Sequence, residues 1–159
     1  MKIKIGFGVD VHQLREGYDL FIGGVQLDAD FGAVGHSDAD ALLHAICDAM
    51  LGALNLRDIG FHFSDTDPKY KGIDSKILLK DTYALIKEKG FQIGNLDCTV
   101  ILENPKVNPH IEKMQKVIAE ILETEVENIS IKATTHEKVD SFGRSEAIKC
   151  YAVCLLEKH

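Results

Sequence analysis

The sequence predicts an α+β fold: a mixed four-stranded sheet with helices on one face plus a short β-hairpin, in one domain spanning residues 1–159. Three observations carry that expectation. Segments with period-two apolar alternation stand near the start, in the middle and at the end of the chain, and segments with helical apolar spacing lie between them. Their order is strand, hairpin, two helices, strand, helix, two strands, which suits helices layered on a mixed sheet. With 159 residues, 45% hydrophobic and 27% charged, the chain is long enough to bury a real core, and no repeat or linker-like tract divides it.

Ile3 to Val11 alternates loosely and is read as the first strand, with Gly6 and Gly8 marking a close approach of another backbone. Leu20 to Leu27 reads as a hairpin on the Gly23-Gly24 turn. Ser37, with Asp40 three residues on, forms a capping-box-like start. The helix then runs to about Leu54, its apolar positions being Ala39, Leu42, Leu43, Ile46, Met50 and Ala53. A second helix is expected over Ser75 to Lys89, capped by Asp74 and ended by Gly90. A strand follows at Leu96 to Glu103, then a helix with Asn108 as cap and Pro109 in its first turn. The final strands are Ile129 to Thr134 and Ala147 to Leu156. Both faces of the last are largely apolar, a pattern normally covered on both sides, so self-association is expected.

The formal charge of −7 argues against nucleic acid or an anionic membrane as the main partner. A small phosphorylated ligand remains compatible, because a bound divalent cation reverses the local sign. No apolar run reaches a membrane span and no leader-like segment precedes the first strand, so a cytoplasmic location is expected. Cys47, Cys98, Cys150 and Cys154 have no C-x-x-C spacing and are read as reduced, packed thiols.

Chemistry concentrates in two places. Asp10 and His12, two apart on a strand, share a face. His36, Asp40, His44 and Asp48, four apart on a helix, form a ridge beside the apolar stripe. One Asp and two His converging from strand and helix suit a zinc-like ion, and three protein ligands leave a fourth position open, as in catalytic sites. The bland reading is a polar helix face that happens to carry His and Asp at four-residue steps.

Three further segments are less specific. Asp58 to Pro68 is rich in acids and hydroxyls, equally suited to turning the chain or to a lid holding polyol hydroxyls. Glu103 to Pro109, stiffened by two prolines, is by default a plain strand-to-helix connection whose backbone groups could read a flat base. Lys132 to Lys138 ends a strand with hydroxyls and a carboxylate, able to cradle phosphate or hold Mg²⁺ but also compatible with an exposed charged turn.

Taken in order, several blocks resemble one family. They are Gly8-Val9-Asp10-Val11-His12, Ile22-Gly23-Gly24-Val25, His36-Ser37-Asp38-Ala39-Asp40 with His44, Asp58-Ile59-Gly60, Asp65-Thr66-Asp67-Pro68, Lys71-Gly72, Pro105-Lys106, Lys132-Ala133-Thr134-Thr135 with Glu137, and Gly143-Arg144. They are similar to the 2-C-methyl-D-erythritol 2,4-cyclodiphosphate synthases of the non-mevalonate isoprenoid pathway, across essentially the whole chain. The resemblance implies a homotrimer with active sites between subunits and sheets facing a central channel. The implied substrate is 4-diphosphocytidyl-2-C-methyl-D-erythritol 2-phosphate, whose 2-phosphate attacks the β-phosphate, closing the cyclic diphosphate and expelling CMP.

By position, the resemblance makes Asp10, His12 and His44 the ligands of Zn²⁺ or another divalent transition metal, and Glu137 the holder of Mg²⁺ or Mn²⁺ on the substrate diphosphate. His36 and Thr135 would steady the transition state, with Ser37 on phosphate at a helix N-terminus. Asp58 and Gly60 would meet ribose, with Ile59 between them, and Phe63, Ser64, Asp65, Thr66 and Asp67 would line the erythritol pocket. Leu102, Glu103, Asn104, Pro105, Lys106, Val107 and Asn108 would hold cytosine, while Thr134, His136 and Arg144 complete the substrate contacts. An isoprenoid diphosphate in the channel near Arg144 and Glu146 is a further implied ligand.

Two departures stand out. The family pattern Leu-Gly-Phe-x-Gly-Arg reads Val139-Asp140-Ser141-Phe142-Gly143-Arg144 here, and Ser64 stands where Pro is common. Competing readings are a zinc-dependent phosphoesterase, which would use the same triad to activate water, and a trimeric isoprenoid-diphosphate-binding protein without turnover.

Overall fold

The computed structural model describes residues 1–159. Its longest strand, β1 (Lys2–Glu16), runs antiparallel to the last strand, β7 (Ala147–Lys158), from Lys2 opposite Lys158 to Gln13 opposite Ala147. Strand β5 (Gln92–Ile101) lies antiparallel on the other edge of β7, and β6 (Ile129–Thr134) runs parallel to β5. The hairpin forms as expected, β2 (Leu20–Ile22) and β3 (Val25–Leu27) making a separate two-stranded sheet turned by Gly23 and Gly24, both at positive φ.

The main sheet has five strands, not the four expected. The addition is β4 (Phe31–Ala33), antiparallel to the end of β1 with Leu14 opposite Ala33, in the order β4-β1-β7-β5-β6. The polar stretch from His12 to Glu16 has no alternation to advertise a strand. Its extension is fixed by long-range pairing to β7 and β4, which local pattern does not encode.

Helices α1 (Ala41–Ala53), α3 (Ser75–Glu88) and α4 (Ile111–Ile121) form the second layer, and short helices α2 (Ile59–His62) and α5 (Asp140–Gly143) sit in loops. α1 lies directly on β1: a Cβ on Gly6 would come within 1.8 Å of Ala49 O, and one on Gly8 within 2.0 Å of Ala45 O. The close approach expected of these glycines is therefore real, and no larger side chain fits at either position.

The start of α1 departs from expectation. Ser37 is not its cap; Ala39 takes φ +57°, and Asp40 caps instead, accepting from Leu43 N–H. The same carboxylate accepts from the N–H groups of Gly23 and Gly24, at 2.9 and 2.7 Å. Asp40 thus ties the hairpin to the helix, and this tertiary demand moves the helix start past His36 and Ser37. The four-residue ridge therefore breaks up: His36 lies outside the helix, Asp40 is its cap, and only His44 and Asp48 are on it. α3 begins at Ser75 after Asp74, as expected. Asn108 is not a helix cap but opens a 3₁₀ turn with Pro109, ahead of α4.

The two sheet faces differ. On β7, Ile148, Cys150, Ala152, Cys154 and Leu156 are fully buried under the helices, while Val153 on the other face is exposed. On that outer face β1 presents Ile3, Ile5, Phe7, Val9 and Val11, with Phe7 61% and Ile5 69% exposed. All four cysteines are free and buried. Burial pushes the Cys47 and Cys98 thiols up to about 12, which makes them inert packing groups at neutral pH. No helix is long and apolar enough to cross a membrane.

Candidate functional site

The seating of α1 on Gly6 and Gly8 determines what comes next along β1. Two residues beyond Gly8, Asp10 meets His44 in α1, and two beyond that His12 reaches the same point. Asp10 Oδ2 stands 2.8 Å from His12 Nε2 and 3.1 Å from His44 Nδ1, and the two ring nitrogens are 3.3 Å apart. Three atoms of the types zinc prefers therefore converge on one point.

The unused ring nitrogens are spoken for. His12 Nδ1 donates to the carbonyl oxygen of Val34 at 2.9 Å, which leaves Nε2 for the shared point. His44 Nε2 lies 2.8 Å from Ser75 Oγ and 3.2 Å from Ser37 Oγ. Burial pushes the Asp10 carboxyl up, but hydrogen bonds to His12 and His44 more than reverse this and bring it to about 2. Burial pushes His12 down, and Asp10 outweighs it, so its net shift is upward. Proton and cation compete for the same lone pairs here.

The triad lines a cavity of about 410 Å³ together with His36, Ser37, Ile59, Gly60, Phe63 and Asp65. His36 is held over it by donating from Nε2 to Asp67 O at 3.1 Å. Of the loop residues expected at this site, Asp58, Ser64, Thr66 and Asp67 do not line the cavity but shape its wall. Asp58 caps α2, Asp67 caps the 3₁₀ turn at Pro68–Tyr70, and Ser64 Oγ bonds Thr66 Oγ1 at 2.8 Å. Asp48 reinforces this wall by accepting from Ile59 N–H at 2.8 Å. Gly35, Tyr70, Ile73 and Leu78 also line the cavity and were not anticipated, nor was Ser75 behind His44. Ser75 reads in sequence only as the residue after a cap; Asp38, its partner, stands in the His36–Asp40 motif but offers no signal of its own.

The remaining expected residues gather elsewhere. Because β5 and β6 run parallel, Ile101 and Thr134 end side by side, and Leu102 N–H donates to Thr134 O at 3.1 Å. A small cavity of about 90 Å³ there is lined by Leu102, Glu103, Pro105 to Asn108, Thr134 and Thr135. It adjoins a polar concavity of about 530 Å³ lined by Glu103, Asn104, Lys106, Thr135, Glu137 and Arg144, among others. Neither shares a lining residue with the triad cavity. His136 lines none of the three and pairs with Asp140 at 3.0 Å.

The departure at residues 139–144 has a structural account. Asp140 takes φ +62°, a conformation glycine prefers, and its carboxylate accepts from the N–H groups of Phe142 and Gly143. The displaced aromatic, Phe142, stacks edge-on to His136 at 5.2 Å and receives Lys149 Nζ over its ring at 4.4 Å.

Over residues 3–157 the chain matches the YgbB family. It is 58% identical over 158 residues to the 2-C-methyl-D-erythritol 2,4-cyclodiphosphate synthase of Cytophaga hutchinsonii, covering 99% of both chains. Among solved structures, the bifunctional IspDF of Campylobacter jejuni superposes with a TM-score of 0.95 at 39% identity, over 99% of this chain and 43% of that one. The CDP complex of IspF from Plasmodium falciparum superposes with a TM-score of 0.87 at 37% identity, over 99% of this chain and 97% of that one.

Proposed function

The chain belongs to the YgbB family, and we propose that it converts 4-diphosphocytidyl-2-C-methyl-D-erythritol 2-phosphate into 2-C-methyl-D-erythritol 2,4-cyclodiphosphate and CMP. An oxygen of the 2-phosphate attacks the β-phosphorus; the bond from that phosphorus to the α-phosphate bridging oxygen breaks, and CMP leaves with the electron pair. Both ends of the reaction are already anionic, so positioning and charge stabilisation suffice and no strong general base is needed.

The single observation that carries this reading is the convergence of Asp10, His12 and His44 on one wall of a substrate-sized cavity. Their donor set fits Zn²⁺ or a similar divalent ion, which supplies Lewis-acid neutralisation of phosphate charge when bound. His36 and Ser37 stand at the same cavity, placed to meet the phosphates, and Ile59, Gly60, Phe63 and Asp65 wall off water that would otherwise hydrolyse the diphosphate. Cytosine goes to the cavity around Leu102 to Asn108. Thr135 and Glu137, the latter with Mg²⁺ or Mn²⁺, meet the diphosphate from the polar concavity beside it.

One chain keeps these two groups of residues in separate cavities, so the complete site is assembled between copies, in a homotrimer. The exposed apolar row Ile3, Ile5, Phe7, Val9 and Val11 supports this, because an apolar face of that extent is disfavoured in water. With these rows turned to a common axis, a central channel could take an isoprenoid diphosphate near Arg144 and Glu146, which pair at 2.8 Å. Residues 1–159 act as one domain, and the reading places the enzyme in the cytoplasm.

The test is ³¹P NMR of the purified protein with Zn²⁺, Mg²⁺ and substrate, beside a His44→Ala control. Cyclic diphosphate and CMP, lost in the control, are the expected outcome. Inorganic phosphate or a linear product would instead make the protein a phosphoesterase.

A further inference from the structure

Behind the triad, on the side away from the cavity, three side chains form a line: His44, Ser75 and Asp38. Ser75 Oγ donates to Asp38 Oδ1, and Ser75 N–H donates to Asp38 Oδ2 at 3.0 Å. Asp38 Oδ1 also accepts from Asp40 N–H at 3.2 Å. A carboxylate so surrounded by donors acts only as an acceptor, so the single hydroxyl hydrogen of Ser75 points to Asp38. What Ser75 offers His44, 2.8 Å away, is then a lone pair. His44 must meet it with Nε2–H, and the ring's free lone pair falls on Nδ1, the atom that faces Asp10 and His12.

We propose that Asp38 and Ser75 are positioning residues for the metal centre: together they set the tautomer and ring orientation of His44 and so raise metal affinity. The inference rests on the metal reading above. Ser37 cannot substitute for Ser75 in this role. Its oxygen is farther, at 3.2 Å, already accepts from Ala39 N–H, and lies on the cavity wall where a ligand can draw it away. Ser75 is wholly buried. The relay also joins two helices distant in sequence: Asp38 N–H donates to Ile73 O at 3.1 Å, so the first turn of α3 is locked to the segment that leads into α1.

The experiment compares Zn²⁺ affinity, by competition with a chromophoric chelator, in the wild type, Ser75→Ala, Asp38→Asn, the double variant, and Asp74→Ala. The last loosens the same helix start by removing its cap without touching His44. Loss of an outer-sphere partner of a ligating imidazole typically weakens metal binding by about 10- to 100-fold, and that is expected for Ser75→Ala and Asp38→Asn. The double variant should lose no more than Ser75→Ala, because Asp38 acts through Ser75. Visible absorption of the Co²⁺-loaded proteins should change in the two single variants and stay unchanged in Asp74→Ala. If Ser75→Ala does not fold, Asp38→Asn carries the same test, since the amide can donate to Ser75 and so reverse its hydroxyl. Variants that bind Zn²⁺ as tightly as a zinc-binding wild type, or an equal loss in Asp74→Ala, would overturn the relay alone. A wild type that takes up no Zn²⁺ overturns the metal reading and the relay with it.

Discussion

The triad cavity and the polar concavity at the ends of β5 and β6 are built on opposite principles. Around Asp10, His12 and His44 the side chains come from a strand and a helix, and the ring nitrogens facing away from the shared point are hydrogen-bonded. Around Glu103, Thr135 and Glu137 the residues come from loops; Glu137 and Lys138 take positive φ, and Glu103 Oε2 is buried without a hydrogen-bond partner. A buried acceptor left unpaired costs free energy, so such a group invites a donor from outside the chain. The contrast teaches that the first region is satisfied by the chain's own residues, while the second keeps a buried acceptor for which the chain supplies no donor.

The largest effect separates the two outright. Asp10→Ala should empty the metal centre and lower cyclisation about a thousandfold, the upper range for removing one strong electrostatic contribution; metal analysis of the purified variant beside turnover checks both. Second, a charge in the apolar row, Phe7→Glu, should dissociate the proposed trimer and abolish turnover while Zn²⁺ stays bound. Sedimentation velocity reads the first result, and a monomer with full activity would show that each chain completes its own site. Next, Glu137→Gln should cost about a hundredfold in turnover with Zn²⁺ content intact, since it removes the carboxylate proposed to hold a divalent cation on the diphosphate. Refolding that variant together with Asp10→Ala sharpens the point: mixed trimers regain activity only if the two residues act from different subunits. The smallest change is expected at Asp140→Gly, where lost side-chain hydrogen bonds and relieved backbone strain nearly cancel, leaving a thermal-melt difference worth under about 1 kcal/mol.

Much of the first region was legible in the sequence, and little of the second. Period two put Asp10 and His12 on one face, and helical spacing placed His44 within reach of them. What misled was the assumption that the helix begins where the local cap signal stands. Ser37 and Asp40 compete for that role, and the choice is made by Gly23 and Gly24, whose N–H groups require the Asp40 carboxylate. No window around residue 40 contains that information. The same applies to β4, which exists because the tail of β1 offers it an edge, and to Ser75, whose importance lies in a neighbour 37 residues earlier in the chain. For Glu103 to Asn108 and Thr134 to Glu137, the residues suggested base reading and phosphate or Mg²⁺ binding only beside a plain loop reading; their grouping depends on β5 and β6 being parallel, which a sequence pattern does not show.

The seam where α1 rests on Gly6 and Gly8 has a consequence for how this centre can change. A methyl group at Gly8 would sit 2.0 Å from Ala45 O, so α1 would have to lift, and His44 would lift with it. Metal occupancy is thus hostage to a residue that carries no donor atom. Any search for variants with altered metal preference would find few tolerated changes along this seam, and would find its freedom instead in the loop wall from Ile59 to Asp65.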